Sequence, residues 1–576
     1  MQSSDSPSAG LLPLLQDLYG AQTADHLMAD LQRLIADTKR HIAGTPLPFT
    51  ERNGFLITYP DQLRAPGFVP LKALGNFLAK WVAPLLDGVH ILPFYPASSD
   101  DGFSVIDYSQ VDPELGSWQD IEGIAGQFQL MVDAVINHVS ALSPWMEAYR
   151  RNDPRYARFF IEIGQETDLS AVVRPRDLPL RTSIETDAGQ RLLWTTFSAD
   201  QIDLNYAEPK VLLAVLEALL GYVRHGARYI RLDAVAYLWK IPGTSCIHLP
   251  QTHMLVRLMR AVLNECAPGV RLITETNIPQ KDNLSYLGDG EADLIYQFPL
   301  PPLTLHTFQT GDATALSAWT AQLPRPAAGT TYFNFLASHD GIGLNPVRGL
   351  LPPSAGGQMI EQALARDGQI SYKRGPSGRR EPYELNINFL DALTIPGEWG
   401  SRPDRAVQRF LCAHAVLLAL QGVPAVYVHS LFGSRGDVQA AQSSGRPRAV
   451  NRAKWKLAAI EQALTDGKSR RRLIYDGLSR LIAVRRGQSA FSPASQQEVM
   501  DLGPAIFGLL RLPDDGPPIA CLHEAAGTGE AANVAPWLGA KSAIDLLNGE
   551  RVRLSEVGLA AYQARWLLPM ADKEAG

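Results

Sequence analysis

The chain has 576 residues, 46% of them hydrophobic and 19% charged, with a formal net charge of −6. That balance excludes a disordered or fibrous chain and fits a globular one of roughly two to four units. The mild acidity leaves no electrostatic footprint for nucleic acid or an anionic membrane.

Four scattered cysteines, Cys246, Cys266, Cys412 and Cys521, form no CxxC. Neither a disulfide framework nor a zinc site is expected, and a reducing compartment is. The opening Met1-Gln-Ser-Ser-Asp-Ser-Pro7 lacks the basic-then-apolar order of a signal peptide, and no apolar run is long enough to span a bilayer. A cytoplasmic protein without a membrane partner is expected.

From Leu11 to Ala43 the spacing of Leu15, Leu18, Leu27, Leu31, Leu34 and Ile35 predicts one or two amphipathic helices. Pro46, Pro48 and the Arg52-Asn-Gly turn close this helical extension over 1–50.

Eight short apolar runs follow: Phe55 to Tyr59, Gly88 to Phe94, Leu130 to Ile136, Tyr229 to Val235, Arg271 to Glu275, Asp293 to Phe298, Thr331 to Leu336 and Val423 to Val428. Helical patterns such as Lys210 to Arg224 and Thr252 to Cys266 lie between them. Strands alternating with helices eight times predict an α/β protein built on a closed (β/α)₈ TIM barrel. The barrel would be made of residues 51–139, 206–340 and 401–488. The gaps 140–205 and 341–400 are too long for simple connections and read as insertions on its C-terminal face. Short strands with Gly, Pro and Asp turns over 489–576, Ala505 to Leu512 among them, predict a small C-terminal β domain.

Polar residues gather where these strands stop. Asp133, Asn137 and His138 end the third, Arg231 and Asp233 the fourth, Glu275 the fifth, and His339 and Asp340 follow the seventh. Arg231 and Asp233 are two apart and share one side of a strand, which a structural ion pair alone would also explain. Carboxylates from three strands converging on one barrel mouth, with Arg and His between them, are costly to hold together without a task. They suit glycosyl transfer, in which one carboxylate attacks, one acid protonates the leaving oxygen, and a third orients hydroxyls. A metal cluster is the competing use, but the ligands lack a compact His/Cys spacing.

Asp133-Ala-Val-Ile-Asn-His138, Arg231-Leu-Asp-Ala-Val235, Glu275 and Ser338-His-Asp340 resemble, in order and spacing, the four signature regions of glycoside hydrolase family 13, the α-amylase family. The resemblance runs from about Phe55 to Arg452. It implies Asp233 as nucleophile, Glu275 as general acid/base and Asp340 as transition-state stabiliser. Arg231 would orient Asp233, and His138 and His339 would contact the sugar.

Within that family, Leu56 to Asp61, Asp100 to Asp107, Gly243 to Cys246, Phe298 to Pro302, and Gly445-Arg446 followed by Asn451-Arg452 look most like the sucrose phosphorylase branch. By that likeness Asp100, Phe103 and Arg446 would help enclose a single glucosyl ring. Ala236, Leu238 and Trp239, the loop around Tyr383 and Glu384, and the run Phe432 to Asp437 depart from sucrose enzymes. These features are similar to the glucosylglycerate phosphorylases and their glucosylglycerol-using relatives. Arg174, Arg176, Arg374, Arg379, Arg380 and Arg435 are candidates for phosphate or for an acceptor carboxylate, since Arg pairs bidentately with such anions. Arg174-Pro-Arg176 is favoured for phosphate, with Tyr383 and Glu384 on the acceptor side.

The expected activity is a retaining phosphorolysis of an α-glucoside, glucosylglycerate favoured, giving α-glucose 1-phosphate. Sucrose, sucrose 6-phosphate or glucosylglycerol as substrate, and an α-glucosidase or transglucosidase, stay open. Inorganic phosphate is the co-substrate, no organic cofactor or metal is called for, and the chain is a monomer or a homodimer.

Overall fold

The computed structural model describes residues 10–41, 48–374 and 379–570, so Met1 to Pro7, Ala43 and Pro46 lie outside the described residues. Eight parallel strands close into a barrel. They are β1 (Phe55–Thr58), β2 (Gly88–Ile91), β3 (Gln129–Ala134), β4 (Ala227–Leu232), β5 (Arg271–Thr274), β6 (Leu294–Tyr296), β7 (Thr331–Phe335) and β8 (Val423–Tyr427). Each pairs with the next, and β8 returns to β1. Every one overlaps a predicted apolar run.

All residues of β1, β2, β6, β7 and β8 are buried. That is what a parallel sheet covered on its outer face and filled on its inner face demands. The Phe55 ring meets Tyr229 edge-on at 4.8 Å and Phe333 at 5.7 Å. These strands are not neighbours, so the contacts run across the barrel and fill it.

The predicted N-terminal helical span is two helices, α1 (Leu11–Tyr19) and α2 (Ala21–Lys39). Gly20 between them has φ +80°, a conformation that favours glycine and breaks the helix. The pair lies on the barrel helices Pro209–Arg224 and Pro250–Cys266 and buries Leu15, Leu27, Leu31 and Ile35.

The long connection after β3 carries the pairing of His138–Ser140 with Gln201–Asp203 and the hairpin Arg181–Thr186 with Gly189–Trp194. The connection after β7 carries a three-stranded sheet of Ile342–Gly343, Arg380–Asn386 and Gln369–Arg374. A six-stranded antiparallel sheet, from Gln496–Met500 to Ala564–Pro569, forms the C-terminal β region. Trp81, Trp118 and Trp145 pack half-buried against the core, and Trp118 stacks on His225 at 4.0 Å. The four cysteines are buried and free. Among the described residues no helix is long and apolar enough to cross a membrane.

Candidate active site

The carboxyl ends of the strands open into a cavity of about 380 Å³. Asp233, Glu275 and Asp340 all line it, together with Asp100, Phe103, His138, Arg231 and His339. Arg174, Arg176 and Tyr383 line it from the two long insertions. Residues separated by more than 200 positions thus meet because a parallel barrel brings every strand's carboxyl end to one mouth.

The geometry is organised by Arg231, buried on β4. Its guanidinium touches Asp133, lies 2.7 Å from Asp233 and 3.8 Å from Glu275. Asp133 is in turn 2.8 Å from His90 Nε2. Burial pushes the Asp133 carboxyl up, but His90 and Arg231 outweigh it and hold the group down at about 2. The ladder continues one step past each strand. The Asp233 N–H donates to the Ala134 carbonyl, and the Glu275 N–H to that of Leu232, both at 3.1 Å. These bonds fix where the two carboxylates leave the barrel. Ala234 then turns with φ +48° and aims its N–H at Glu275 Oε2, 3.0 Å away. A non-glycine residue held in that region costs on the order of 1–3 kcal/mol, strain that packing around a site can sustain.

The three acids sit in different electrostatic surroundings. Burial, together with the negative charges of Asp233 and Asp340, pushes the Glu275 carboxyl up to about 7. Burial raises Asp233 as well, with Arg231 opposing. For Asp340 burial is overcome by Arg448, His339 and Arg452, which hold it well below the usual carboxylate range. Acids pushed apart in this way can divide the work, one holding a proton near neutrality and another staying charged.

Around the acids the cavity is walled. Phe103 stacks on His339 with rings 5.0 Å apart and 5° from parallel. Burial drives the His339 imidazole down to about 3, so it is neutral, and its Nδ1 has no protein partner. His138 Nε2–H donates to the Phe103 carbonyl at 2.8 Å, and burial lowers His138 too. Asp100 and Asp101 both have left-handed backbones, φ +53° and +51°, which turn the loop after β2 over the cavity.

The geometry places several of the candidate residues differently. Arg446 does not line the cavity; its exposed guanidinium pairs with Asp101 at 2.9 Å. The short 3₁₀ turn Pro447–Asn451 brings Arg448 inward instead, 2.6 Å from Asp340. Arg435, on the loop after β8, is also outside, 2.6 Å from Asp391 of the helix Phe389–Leu393. Glu384 is buried behind the wall, where both its oxygens accept from Arg448 at 2.9 and 3.1 Å. Arg176 lines the cavity but is paired with Asp100 at 2.9 Å. Arg374 and Arg380 reach Asp177 on the first insertion rather than the cavity. Lining residues that the motifs left unnamed include Arg448, Gln201, Tyr237, Arg348 and Lys373. Only Arg448 had a signal, two places from the quoted Gly445-Arg446. Among the described residues no cluster of His, Cys, Asp or Glu is arranged to hold a metal ion.

The alpha-amylase catalytic domain family matches residues 85–341. A glucosylglycerate phosphorylase of Allomeiothermus silvanus is 51% identical over 454 residues, 78% of this chain and 81% of the relative. One of Escherichia coli is 42% identical over 557 residues, 96% of this chain and 98% of the relative. The crystal structure of sucrose 6F-phosphate phosphorylase from Thermoanaerobacter thermosaccharolyticum superposes with a TM-score of 0.73 at 24% identity, covering 90% of this chain and 99% of that one, a likeness of fold. Relatives this similar, spanning most of the length, show that the chain belongs to the α-amylase family, in the group that contains the glucosylglycerate phosphorylases.

Proposed function

We propose that this chain is a retaining glucosylglycerate phosphorylase. Asp233 Oδ attacks C1 of the α-glucoside while Glu275 gives its proton to the departing glycerate oxygen. The C1–O bond breaks and a β-glucosyl ester of Asp233 forms. A phosphate oxygen then attacks C1 from the face the glycerate left, and Glu275 takes up the phosphate proton. The ester breaks, and α-glucose 1-phosphate leaves with Asp233 and Glu275 restored. Two inversions give net retention, which asks for carboxyl groups about 5–5.5 Å apart. Asp340, with Arg448 beside it, is assigned to the sugar hydroxyls. Asp100, His138 and His339 would hold the rest of the ring, with Phe103 as an apolar wall.

What carries this reading is one arrangement. Asp233 and Glu275 share the Arg231 guanidinium inside a cavity whose outer part is cationic, with Arg174, Arg176, Arg348 and Lys373 among its lining. Phosphate and glycerate are both anions and both enter by that side. A cationic entrance favours them over water and over neutral sugars. The similar glucosylglycerate phosphorylases point the same way. Four free cysteines fit the cytoplasm.

The test runs the reaction backwards. The enzyme is given glucose 1-phosphate with glycerate, glycerol, fructose or fructose 6-phosphate, and phosphate release is measured. Glycerate is expected to give the highest kcat/KM. Phosphate release with fructose alone would reassign the substrate. Hydrolysis of α-glucosides without phosphate release from any pair would reject the phosphorylase.

A further inference from the structure

Most cations lining the cavity already have an anionic partner. Arg231 is shared by three acids, Arg176 holds Asp100, Arg448 holds Asp340 and Glu384, and Arg348 lies 2.8 Å from Glu381. Two have none within ion-pair reach among the described residues. Arg174, on the first insertion, donates to the Leu178 carbonyl and leaves its Nε buried without a partner. Lys373, on the second, has no side-chain ion pair or hydrogen bond among the described residues, though Glu381 acts on it from further away.

The local structure aims Lys373 at the cavity. It lies in the strand Gln369–Arg374, which pairs with Arg380–Asn386. Successive side chains of a strand point to opposite faces. Its neighbour Tyr372 lies under the Arg380 guanidinium at 4.9 Å, and Arg374 reaches out to Asp177. Lys373 between them faces the other way, onto the cavity wall beside Arg348 and Tyr383. Glu381, directly across the ladder from Lys373, is already held 2.8 Å from Arg348, so one carboxylate faces two cations and leaves charge for a bound anion to balance. Burial and Arg348 lower the Lys373 pKa and outweigh Glu381, in keeping with that position.

We infer that Lys373, with Arg348 beside it, binds the carboxylate of the acceptor and so makes the enzyme prefer an acidic acceptor to a neutral polyol or sugar. The inference rests on the glycerate reading above. Phosphate and the acceptor hydroxyl attack the same carbon from the same face. What distinguishes them is the rest of the acceptor, which carries its carboxylate further from C1. Among the described residues each insertion offers the cavity one cation that makes no ion pair of its own. The structure assigns Arg174 to phosphate and Lys373 to the carboxylate. Glu381 holds Arg348 in place and keeps the pair from becoming a second phosphate clamp.

The experiment compares Lys373→Met and Lys373→Arg with the wild-type enzyme in the synthetic direction. KM is measured for glycerate, for glycerol and for glucose 1-phosphate. A lost charge-assisted contact predicts a KM for glycerate raised by about tenfold or more in Lys373→Met. The KM values for glycerol and for glucose 1-phosphate should rise far less, so that the preference for glycerate over glycerol falls about tenfold. Lys373→Arg should recover most of the glycerate affinity. An unchanged glycerate KM overturns the inference. So does a parallel decline with glycerate, glycerol and glucose 1-phosphate, which would make Lys373 merely structural. A wild-type enzyme that ignores glycerate would overturn the substrate reading itself, and this inference with it. Glycerate use by the wild type with no effect in Lys373→Met would overturn the inference alone.

Discussion

Arg448 and Asp340 lie 2.6 Å apart, and this contact separates the behaviour of the three cavity acids. Asp340 keeps its charge beside the guanidinium, and that charge helps to raise Glu275 to about 7. The acid needed to protonate a leaving group is therefore prepared by the acid that stays ionised.

The sign of the pH dependence follows. Glycosylation needs the proton on Glu275, so kcat/KM for the glucoside should fall tenfold per pH unit above about 7, and it should fall again in acid, where the raised Asp233 takes up a proton and can no longer attack. Once Asp233 is esterified its charge is gone, and one cause of the raised Glu275 pKa goes with it. The group then ionises more readily and can take the proton from phosphate. A kcat/KM profile for phosphate should accordingly turn at a lower pH than the profile for the glucoside. Coincident limbs would argue against this cycling.

Arg448 also has a structural duty. It is the partner of Glu384, a carboxylate only 1% exposed. Arg448→Met would strand that charge, and breaking a buried pair by removing one partner costs about 3–5 kcal/mol. The double variant Arg448→Met/Glu384→Gln should recover part of the loss. Denaturant unfolding of both variants checks this. A single variant as stable as the wild type would show that Glu384 finds another partner or takes up a proton.

Much of this was legible in the amino-acid order, for a physical reason. Strands buried on both faces must be continuously apolar, so Phe55 to Thr58 and Thr331 to Phe335 announce themselves. A charge such as Arg231 inside such a run has to be paired or functional. The insertions follow no such rule. Arg446 and Arg448 sit in one polar stretch, and only the turn Pro447–Asn451 decides which of them reaches Asp340. Glu384 has the look of a solvated acid until the fold buries it. Lys373 resembles any lysine in a surface hairpin until strand alternation turns it inward.

The two insertions meet at Asp177, which contacts Arg374 and lies 3.6 Å from Arg380. The contact is exposed, so Asp177→Asn should change stability by less than about 1 kcal/mol. Its effect should appear in partition instead. Pro175 and Arg176 on one insertion, and Lys373 and Tyr383 on the other, line the same cavity, so loosening their contact admits water to the ester intermediate. Glucose release relative to glucose 1-phosphate should rise several-fold, measured with both products in one assay. An unchanged ratio would mean that water is excluded deeper in the cavity.

The N-terminal helices should prove inseparable from the barrel. Leu15, Leu27, Leu31 and Ile35 are buried where α1 and α2 meet the barrel helices. At about 1.5–3 kcal/mol for each fully buried side chain, the four contribute on the order of 6–12 kcal/mol before the cost of ordering the helices. That rivals the whole stability of a typical domain, about 5–15 kcal/mol. The helices also reach the site's support. Tyr19 donates to the Tyr206 carbonyl at 2.9 Å, and its ring lies 6.4 Å from that of Trp239, in the loop that follows Asp233. Removal of residues 1–41 should therefore give aggregated protein, because the uncovered apolar faces of two barrel helices have no other cover. Leu31→Asp in the full chain is the sharper measurement, since it forces a charge into that interface. It should lower the thermal midpoint by many degrees, and a full-length variant melting with the wild type would show that the helices rest on the barrel without bracing it.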